Sequence, residues 1–215
     1  MNILLPTQNL KTRSFKIKDG ILKLKYGQSF QNVMYDMTYF MKGRNFCYYC
    51  KQKIPKNQMT MDHMYPRSTG GPTLTQNLIP ACQKCNAEKA DMTYKQYMVF
   101  RSFGSKPERK AYAAAITALK EGLKSSGIYE IPTDWYTYVD VNAIHTCIDF
   151  ANISETKYNK VKSYLDAYGT FQVPMVLDRN LYSLDGFYNL FVAKSLGIAQ
   201  MPAIVLDNVE IRIKS

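Results

Sequence analysis

Residues 47–89 read CYYCKQKIPKNQMTMDHMYPRSTGGPTLTQNLIPACQKCNAEK, and they include four of the chain's five cysteines and one of its two histidines. The cysteines form two Cys-x-x-Cys pairs, Cys47/Cys50 and Cys82/Cys85. Four thiolates at this spacing suit one tetrahedral zinc ion with a structural role. The alternatives are two disulfides or buried thiols without a metal. Because the N-terminus carries no secretion signal, a reducing compartment is expected, which favours zinc.

Several polar side chains between and just after the cysteine pairs are candidates for chemistry. Hydrolysis of a phosphodiester needs a base for water and a metal for the phosphate. Asp62 and Asn86 offer oxygen ligands for Mg²⁺, and His63 offers the base. Since neighbouring residues on a strand point to opposite faces, Asp62 can face a metal while His63 faces the water. The turn at Asn77 is expected to orient the second ring nitrogen of His63.

The order of these motifs carries a resemblance to a known family. The stretch contains, in sequence, C-x-x-C, D-H-x-x-P, a glycine pair, N-L and C-x-x-C-N-x-x-K. It resembles the HNH endonucleases of the ββα-metal type, in the variant with four zinc cysteines. The resemblance implies that His63 is the general base and that Asp62 and Asn86 bind a catalytic Mg²⁺ or Mn²⁺. It also implies that Asn77 braces the loop and orients His63.

The distribution of charge points to a polyanionic partner. The net charge of the 215 residues is +11. Residues 1–130 contain 21 Lys and Arg against 8 Asp and Glu, a charge of +13, whereas residues 131–215 contain 7 and 9, a charge of −2. The excess lies with the nuclease-like motif, as expected for binding to the DNA backbone, although a solvated basic surface is the alternative. The expected DNA contacts are Arg67, Lys89, Lys51 and Lys53, with Arg44 and Lys56 beside the first cysteine pair.

Local patterns predict the elements around this stretch. Residues 12–26 alternate apolar and basic residues about Asp19-Gly20, which predicts a hairpin. Its lysines could lie along DNA or merely protect an edge strand from aggregation. Residues 29–42 predict a helix with Val33, Met37, Phe40 and Met41 facing inward. Residues 93–104 predict a second helix. Residues 105–127 predict a third, capped by Ser105 with Glu108 three residues later.

The tail, residues 129–215, changes character and has no metal motif. It reads as strand, helix, strand, turn, strand, helix and a final pair of strands, with His145 and Cys147 in a predicted helix over residues 142–151. The pieces Val173–Leu177, Leu184-Asp185-Gly186 and Met201–Val205 resemble the ParB/sulfiredoxin-like N-terminal domain. In that family the segment after the glycine binds a nucleotide phosphate. In the family an arginine or histidine helps to hold the phosphate, whereas this chain has Asn189 at that position and no basic residue over 187–191. We therefore expect a binding or assembly domain rather than a second enzyme.

The sequence thus predicts an α+β protein: an HNH nuclease domain (1–104), a bridging helix (105–128) and a ParB-like domain (129–215). We expect an endonuclease that nicks DNA or cuts both strands as a dimer, from a phage, a mobile element or an anti-phage defence system. The tail would provide a homodimer contact or bind a partner protein. No apolar run could span a membrane, so a cytoplasmic location is expected. The alternatives are a non-catalytic zinc-knuckle DNA-binding protein and a ParB-like nucleotide switch.

Overall fold

The computed structural model describes residues 1–43, 45–55, 58–146, 148 and 153–212. It is a mixed structure of helices and sheets, as predicted. Among the described residues, no helix combines the length and the apolar character that crossing a bilayer requires. The predicted neighbours of the first cysteine pair, Arg44 and Lys56, lie outside the described residues, as does Cys147.

An N-terminal hairpin of β2 (Lys16–Lys18) and β3 (Ile21–Lys25) turns at Asp19-Gly20, as the alternating pattern predicts. Asp19 and Gly20 both have positive φ, which suits the tight turn. The short strand β1 (Leu10–Lys11) pairs with β2 on the outer side. The hairpin and β1 therefore form three strands of one sheet, with Ile17, Leu22 and Leu24 buried beneath it.

The first helix, α1 (Phe30–Lys42), packs on this sheet and on the part of the chain that carries the four cysteines. Ser29 caps it by accepting a hydrogen bond from the Asn32 backbone N–H. Val33 and Met37 are buried as predicted. Phe40 was expected to face inward, but 51% of it is exposed, because its ring only meets the edge of Phe15. Met41 is half-buried.

The stretch quoted above folds as two antiparallel strands followed by a helix. These are β4 (Met59–His63), β5 (Leu78–Cys82) and α2 (Gln83–Lys89). Two helices follow, α3 (Tyr94–Ser102) and α4 (Lys106–Ser125), and α4 starts with the predicted capping box of Ser105 and Glu108. A small core around the cysteines, including Tyr49 and Tyr97, joins these elements.

The tail builds a second four-stranded sheet in the order β6-β9-β7-β8. Its elements are β6 (Thr137–Asp140), α5 (Glu155–Tyr168), β7 (Met175–Asp178), β8 (Ser183–Asp185), α6 (Phe187–Ser195), β9 (Gln200–Leu206) and β10 (Val209–Arg212). The helix predicted over residues 142–151 is wrong where the structure describes it. A single 3-10 turn ends at Ala143, and His145 instead bridges to Tyr182.

The last strand, β10, leaves the tail's own sheet and pairs in parallel with β3. Residues from both ends of the chain share one core, in which Leu22 and Met37 lie with Ile204 and Val209. The boundaries after residues 104 and 128 stay a prediction. The shared sheet makes the hairpin and the end of the tail neighbours, and this proximity matters for the surface described below.

Candidate active site and zinc site

The four cysteines of the two Cys-x-x-Cys pairs converge. Their sulfur atoms all lie within 4.8 Å of one another. Cys47 and Cys50 belong to the turn before β4, Cys82 ends β5, and Cys85 lies in the first turn of α2. Zn–S bonds of about 2.3 Å in a tetrahedron place sulfurs about 3.8 Å apart, so this cluster fits one zinc ion. The thiols are free in this structure rather than paired in disulfides.

The backbone around Cys47 favours its thiolate form. Burial raises the pKa of the thiol, but hydrogen bonds from the backbone at Cys50, Cys82 and Tyr49 lower it to about 7 in total. Zinc binds the thiolate and not the thiol. The backbone of the first cysteine turn and of Cys82 in β5 thus favours the form of Cys47 that can bind a metal.

The loop between β4 and β5 is closed by Asn77. Its Oδ1 accepts from the Tyr65 N–H at 2.8 Å, and its Nδ2 donates to the carbonyls of Tyr65 and Pro72 at 3.0 and 2.9 Å. The loop also requires Gly71, because a Cβ atom there would lie 1.8 Å from the Tyr65 carbonyl oxygen. Asn77 therefore braces the loop, as the resemblance implies, but Thr73 and not Asn77 is the side-chain partner found for the His63 ring.

His63 ends β4 opposite Leu78, and its ring contacts Thr73 of the loop, which Arg67 supports in turn. Its Nε2 lies 3.0 Å from Thr73 Oγ1, and Nη1 of Arg67 donates to the same oxygen at 2.7 Å. No hydrogen-bond partner of His63 Nδ1 is found within the described part of the chain. Thr73 was not anticipated from the sequence, since threonine at this spacing has no distinctive signal.

The surroundings keep the His63 imidazole neutral. Burial lowers its pKa to about 3, and the positive charges of Arg67 and Lys89 contribute. A neutral ring has a free lone pair that can accept a proton from water. The protonation state that general-base chemistry needs is therefore the resting state of this side chain.

Asp62 points to the opposite face of β4, toward α2, and is 5% exposed. Its Oδ1 lies 3.1 Å from the Lys89 ammonium, and its Oδ2 accepts from the Tyr49 hydroxyl. Burial raises the pKa of the Asp62 carboxyl, and Lys89 opposes that rise. The predicted DNA contact of Lys89 is wrong in this structure, because the side chain is 1% exposed and is directed at Asp62 instead of solvent.

Asn86 lies on α2 above the same strand and donates from Nδ2 to Thr60 Oγ1 at 3.0 Å. Thr60 and Asp62 are two residues apart on β4, so their side chains share one face of the strand, whereas His63 is on the other face. Because Asn86 contacts Thr60, it lies on the same side as Asp62. A carboxylate and an amide oxygen are suitable ligands for a hard divalent cation. Both carboxylate oxygens are hydrogen-bonded, so such an ion would share Asp62 with Lys89 or displace its ammonium.

The other three predicted DNA contacts lie at the surface. The Arg67 side chain is 42% exposed and also lies 3.5 Å from Asp185 in the tail. It borders a cavity of about 200 Å³ that reaches the start of α6. Lys51 and Lys53 are exposed on the first knuckle, where the ammonium of Lys51 lies 4.5 Å from the centre of the Tyr48 ring.

A half-buried carboxylate fixes the loop from its other side. Glu130 accepts from Thr69 Oγ1 and from Gln96 Nε2, each at 2.9 Å, and pairs with Lys120 of α4. Its backbone N–H also donates to the Thr69 carbonyl at 2.9 Å. The loop between β4 and β5 is thus tied to α3 and α4 by a residue that follows α4 in sequence. No local motif identifies Glu130.

Comparisons with known proteins agree with this geometry. Residues 47–98 match the model of a family described as HNH endonuclease. The chain is also similar to an uncharacterized protein, ORF326b, of Acidianus two-tailed virus, with 37% identity over 62 residues. That similarity covers 28% of this chain and 19% of the viral protein. The predicted HNH resemblance is therefore confirmed, and it supports a nuclease.

Two similar solved structures are described as the C2221 form of a Pnob8-like ParB-N domain and as a pNOB8-like ParB N-domain. Each is 19% identical to this chain and has 28% of its own length covered. They cover 33% and 34% of this chain, with TM-scores of 0.29 and 0.26.

Proposed function

We propose that this protein is a metal-dependent DNA endonuclease that hydrolyses phosphodiester bonds with His63 as its general base. The observation that carries the proposal is the His63 ring itself. It is neutral, its Nε2 is held by Thr73, and its Nδ1 has no partner among the described residues. The match of residues 47–98 to HNH endonucleases supports the same role.

In this proposal, Nδ1 of His63 accepts the proton of the attacking water. Nε2 then carries the other proton and donates it in a hydrogen bond to Thr73 Oγ1, which also accepts from Arg67. A hydroxyl oxygen has two lone pairs, so it can accept both bonds. Thr73 thereby fixes the tautomer and the ring orientation, as the partners of catalytic histidines do.

Asp62 and Asn86 would hold the divalent ion, Mg²⁺ or Mn²⁺. When bound, the ion polarises the phosphate and stabilises the leaving oxygen. The partly exposed guanidinium of Arg67 lies beside Thr73 and is suited to a phosphate of the cut strand. Zinc at Cys47, Cys50, Cys82 and Cys85 has a structural role, since all four positions around it are filled by sulfur.

The partner in this proposal is DNA, as the +11 net charge favours. A single site of this kind suits nicking, or cutting of both strands by a homodimer or with a partner protein bound through residues 129–215. A phage, a mobile element or a defence system is the proposed context, and the viral source of one relative is in keeping with it. The cytoplasm is the proposed location.

Supercoiled plasmid offers the direct test of this function. The purified protein should convert it to open-circular or linear DNA with Mg²⁺ or Mn²⁺ and should leave it intact when neither ion is added, with no chelator present so that the zinc is kept. A non-catalytic zinc-knuckle DNA-binding protein would instead bind the plasmid without cutting it under either condition. Binding without cleavage across Mg²⁺, Mn²⁺ and other divalent ions would overturn the proposed function.

A further inference from the structure

Three lysines stand in a row across adjacent strands of the N-terminal sheet. Lys11 of β1 lies directly opposite Lys16 of β2, and Lys16 lies directly opposite Lys23 of β3. Directly opposed residues share one face of a sheet, and like charges at such positions are destabilising. Adjacent strands are about 4.8 Å apart, so the three lysine side chains start from backbone positions that are separated by about that distance.

Further cations extend this row on the same side of the molecule. Arg212 of β10 lies opposite Lys25 of β3, and Lys25 shares the face of Lys23 because it is two residues away. Together with Arg13 they line a cavity of about 230 Å³. We call this surface the basic sheet face; it consists of Lys11, Arg13, Lys16, Lys23, Lys25 and Arg212.

Very little negative charge compensates the basic sheet face. Glu210 pairs with Lys23 at 3.2 Å. Within the described part of the chain, the other five cations have no acidic partner within 4.0 Å. The cavity that they line has no carboxylate among its lining residues. An uncompensated concentration of charge on one face is the pattern expected for an anion-binding surface.

Protection of an edge strand does not account for this pattern. Lysines on exposed edges prevent sheets from pairing with other chains. The sheet order is β1-β2-β3-β10, so Lys16 and Lys23 lie on interior strands whose backbones are already paired. Only Lys11 and Arg212 belong to the outer strands. The opposed lysines therefore need another explanation, and a bound polyanion would relieve their repulsion.

We propose that the basic sheet face binds the phosphate backbone of a DNA duplex, as a contact surface separate from the catalytic loop. Duplex DNA carries one charge per about 1.7 Å of its axis, which suits several cations spaced by a few ångströms. The inference takes DNA as the partner from the proposed function, but it does not require that the protein cuts DNA.

A membrane surface is the less suitable partner. Binding to a bilayer needs apolar side chains beside the cations, which insert below the headgroups. The residues lining the cavity are mostly basic and polar, and their apolar members Phe15 and Leu24 are buried beneath the sheet. The face thus offers charge without an apolar anchor, which matches a phosphate backbone.

The test compares two triple variants of equal charge in buffer without added Mg²⁺ or Mn²⁺ and without a chelator, so that cleavage does not interfere and the zinc stays in place. The first is Lys11→Gln with Lys16→Gln and Lys25→Gln. The control is Lys106→Gln with Lys110→Gln and Lys157→Gln, which alters exposed lysines of α4 and α5. Affinity for a fluorescent 30-base-pair duplex is measured by anisotropy at several salt concentrations, with melting temperature as a check on folding.

Each lysine that contacts a phosphate contributes about 0.9 to the slope of log K against log salt. The first triple should therefore flatten the slope by about 2–3 and keep or raise the melting temperature, since it removes repulsion. The control should change the slope by less than about 1. Equal losses in both triples would overturn the proposal. So would an unchanged slope in the first triple, or loss of binding to phosphatidylserine vesicles with DNA binding kept.

If the first triple proves to be unfolded, the pair Lys25→Gln with Arg212→Gln provides the same comparison at the outer side of the sheet. That pair should flatten the slope by about 2, against a control pair of Lys106→Gln with Lys110→Gln. If this pair weakens DNA binding and the wild type never cleaves DNA, the result still supports DNA binding by the basic sheet face. If the wild type cleaves DNA but these variants bind DNA as the wild type does, the result supports the nuclease function and overturns the proposed DNA contact of the basic sheet face.

Discussion

The ammonium of Lys89 lies 3.1 Å from Oδ1 of Asp62, and both side chains are almost completely buried. This pair ties α2 to β4 beneath the proposed active site. The residue proposed to bind the catalytic ion is therefore also one half of a buried ion pair. Replacing Asp62 would leave the Lys89 charge without a partner, so loss of cleavage in an Asp62 variant cannot be attributed to the ion alone.

Lys89→Met should destabilise the protein by about 3–5 kcal/mol, because it leaves the buried Asp62 carboxylate uncompensated. Lys53→Met, at an exposed position of the first knuckle, should change stability by less than about 0.5 kcal/mol. Chemical denaturation measures both. If Lys89→Met were as stable as the wild type but bound DNA less tightly, the buried pair would be refuted and the original phosphate-contact role restored.

Gly71→Ala should destabilise the protein by at least about 2 kcal/mol and abolish cleavage, because the added Cβ collides with the Tyr65 carbonyl. Gly122→Ala is the matched control. Gly122 lies in α4 with open space around it, so alanine there should raise stability by about 0.5–1 kcal/mol. Thermal unfolding and plasmid cleavage are measured for both. A well-folded, active Gly71→Ala protein would show that the loop geometry is wrong.

Zinc should be found at about one ion per chain by elemental analysis, and Cys82→Ser should lose both the metal and the fold. The zinc-bound fold is lost because one of four ligands is removed from a small core. Cys147→Ser, the change at the fifth cysteine, should keep the metal. A folded and active protein without zinc would contradict the structural role of the ion.

The clustering of the four cysteines could be predicted because its signal is local. The spacing of two Cys-x-x-Cys pairs is enough to predict that they could share one ion. The capping box of Ser105 and Glu108 likewise predicts the start of a helix from four consecutive residues. The hairpin at Asp19-Gly20 is of the same kind. In each case, neighbouring residues determine the geometry.

The remaining features depend on contacts between distant parts of the chain. Lys89 was predicted to contact DNA because it follows Asn86 in the motif. It is instead buried, because it pairs with Asp62, 27 residues earlier in the chain. Thr73 and Glu130 reach the loop through tertiary contacts that no motif encodes. The pairing of β3 with β10 joins residues about 190 positions apart, and local periodicity contains no information on it.

Thr73→Val should lower the rate of cleavage by about 10–100-fold without loss of DNA binding, because it removes the oxygen that orients His63. Thr73→Ser keeps that oxygen and should retain most of the activity. Single-turnover cleavage of a labelled duplex separates the rate from the affinity. Equal activity in the valine and serine variants would show that the hydroxyl has no role in orienting the ring.

His63→Ala should keep zinc content, melting temperature and DNA affinity close to those of the wild type, since the cysteines and the basic surface are unchanged. His145→Ala is the control, because His145 bridges to Tyr182 in the tail and lies outside the loop. Excess Mg²⁺ should not rescue His63→Ala, because a missing base is not replaced by a metal ion.

The rate of plasmid cleavage by His63→Ala, measured beside the wild type and His145→Ala in Mg²⁺, is the most direct test of the account. The expected rate is about 10²–10⁴-fold below the wild type, the usual contribution of a positioned base, with His145→Ala unaffected. Cleavage by His63→Ala at the wild-type rate would contradict the account.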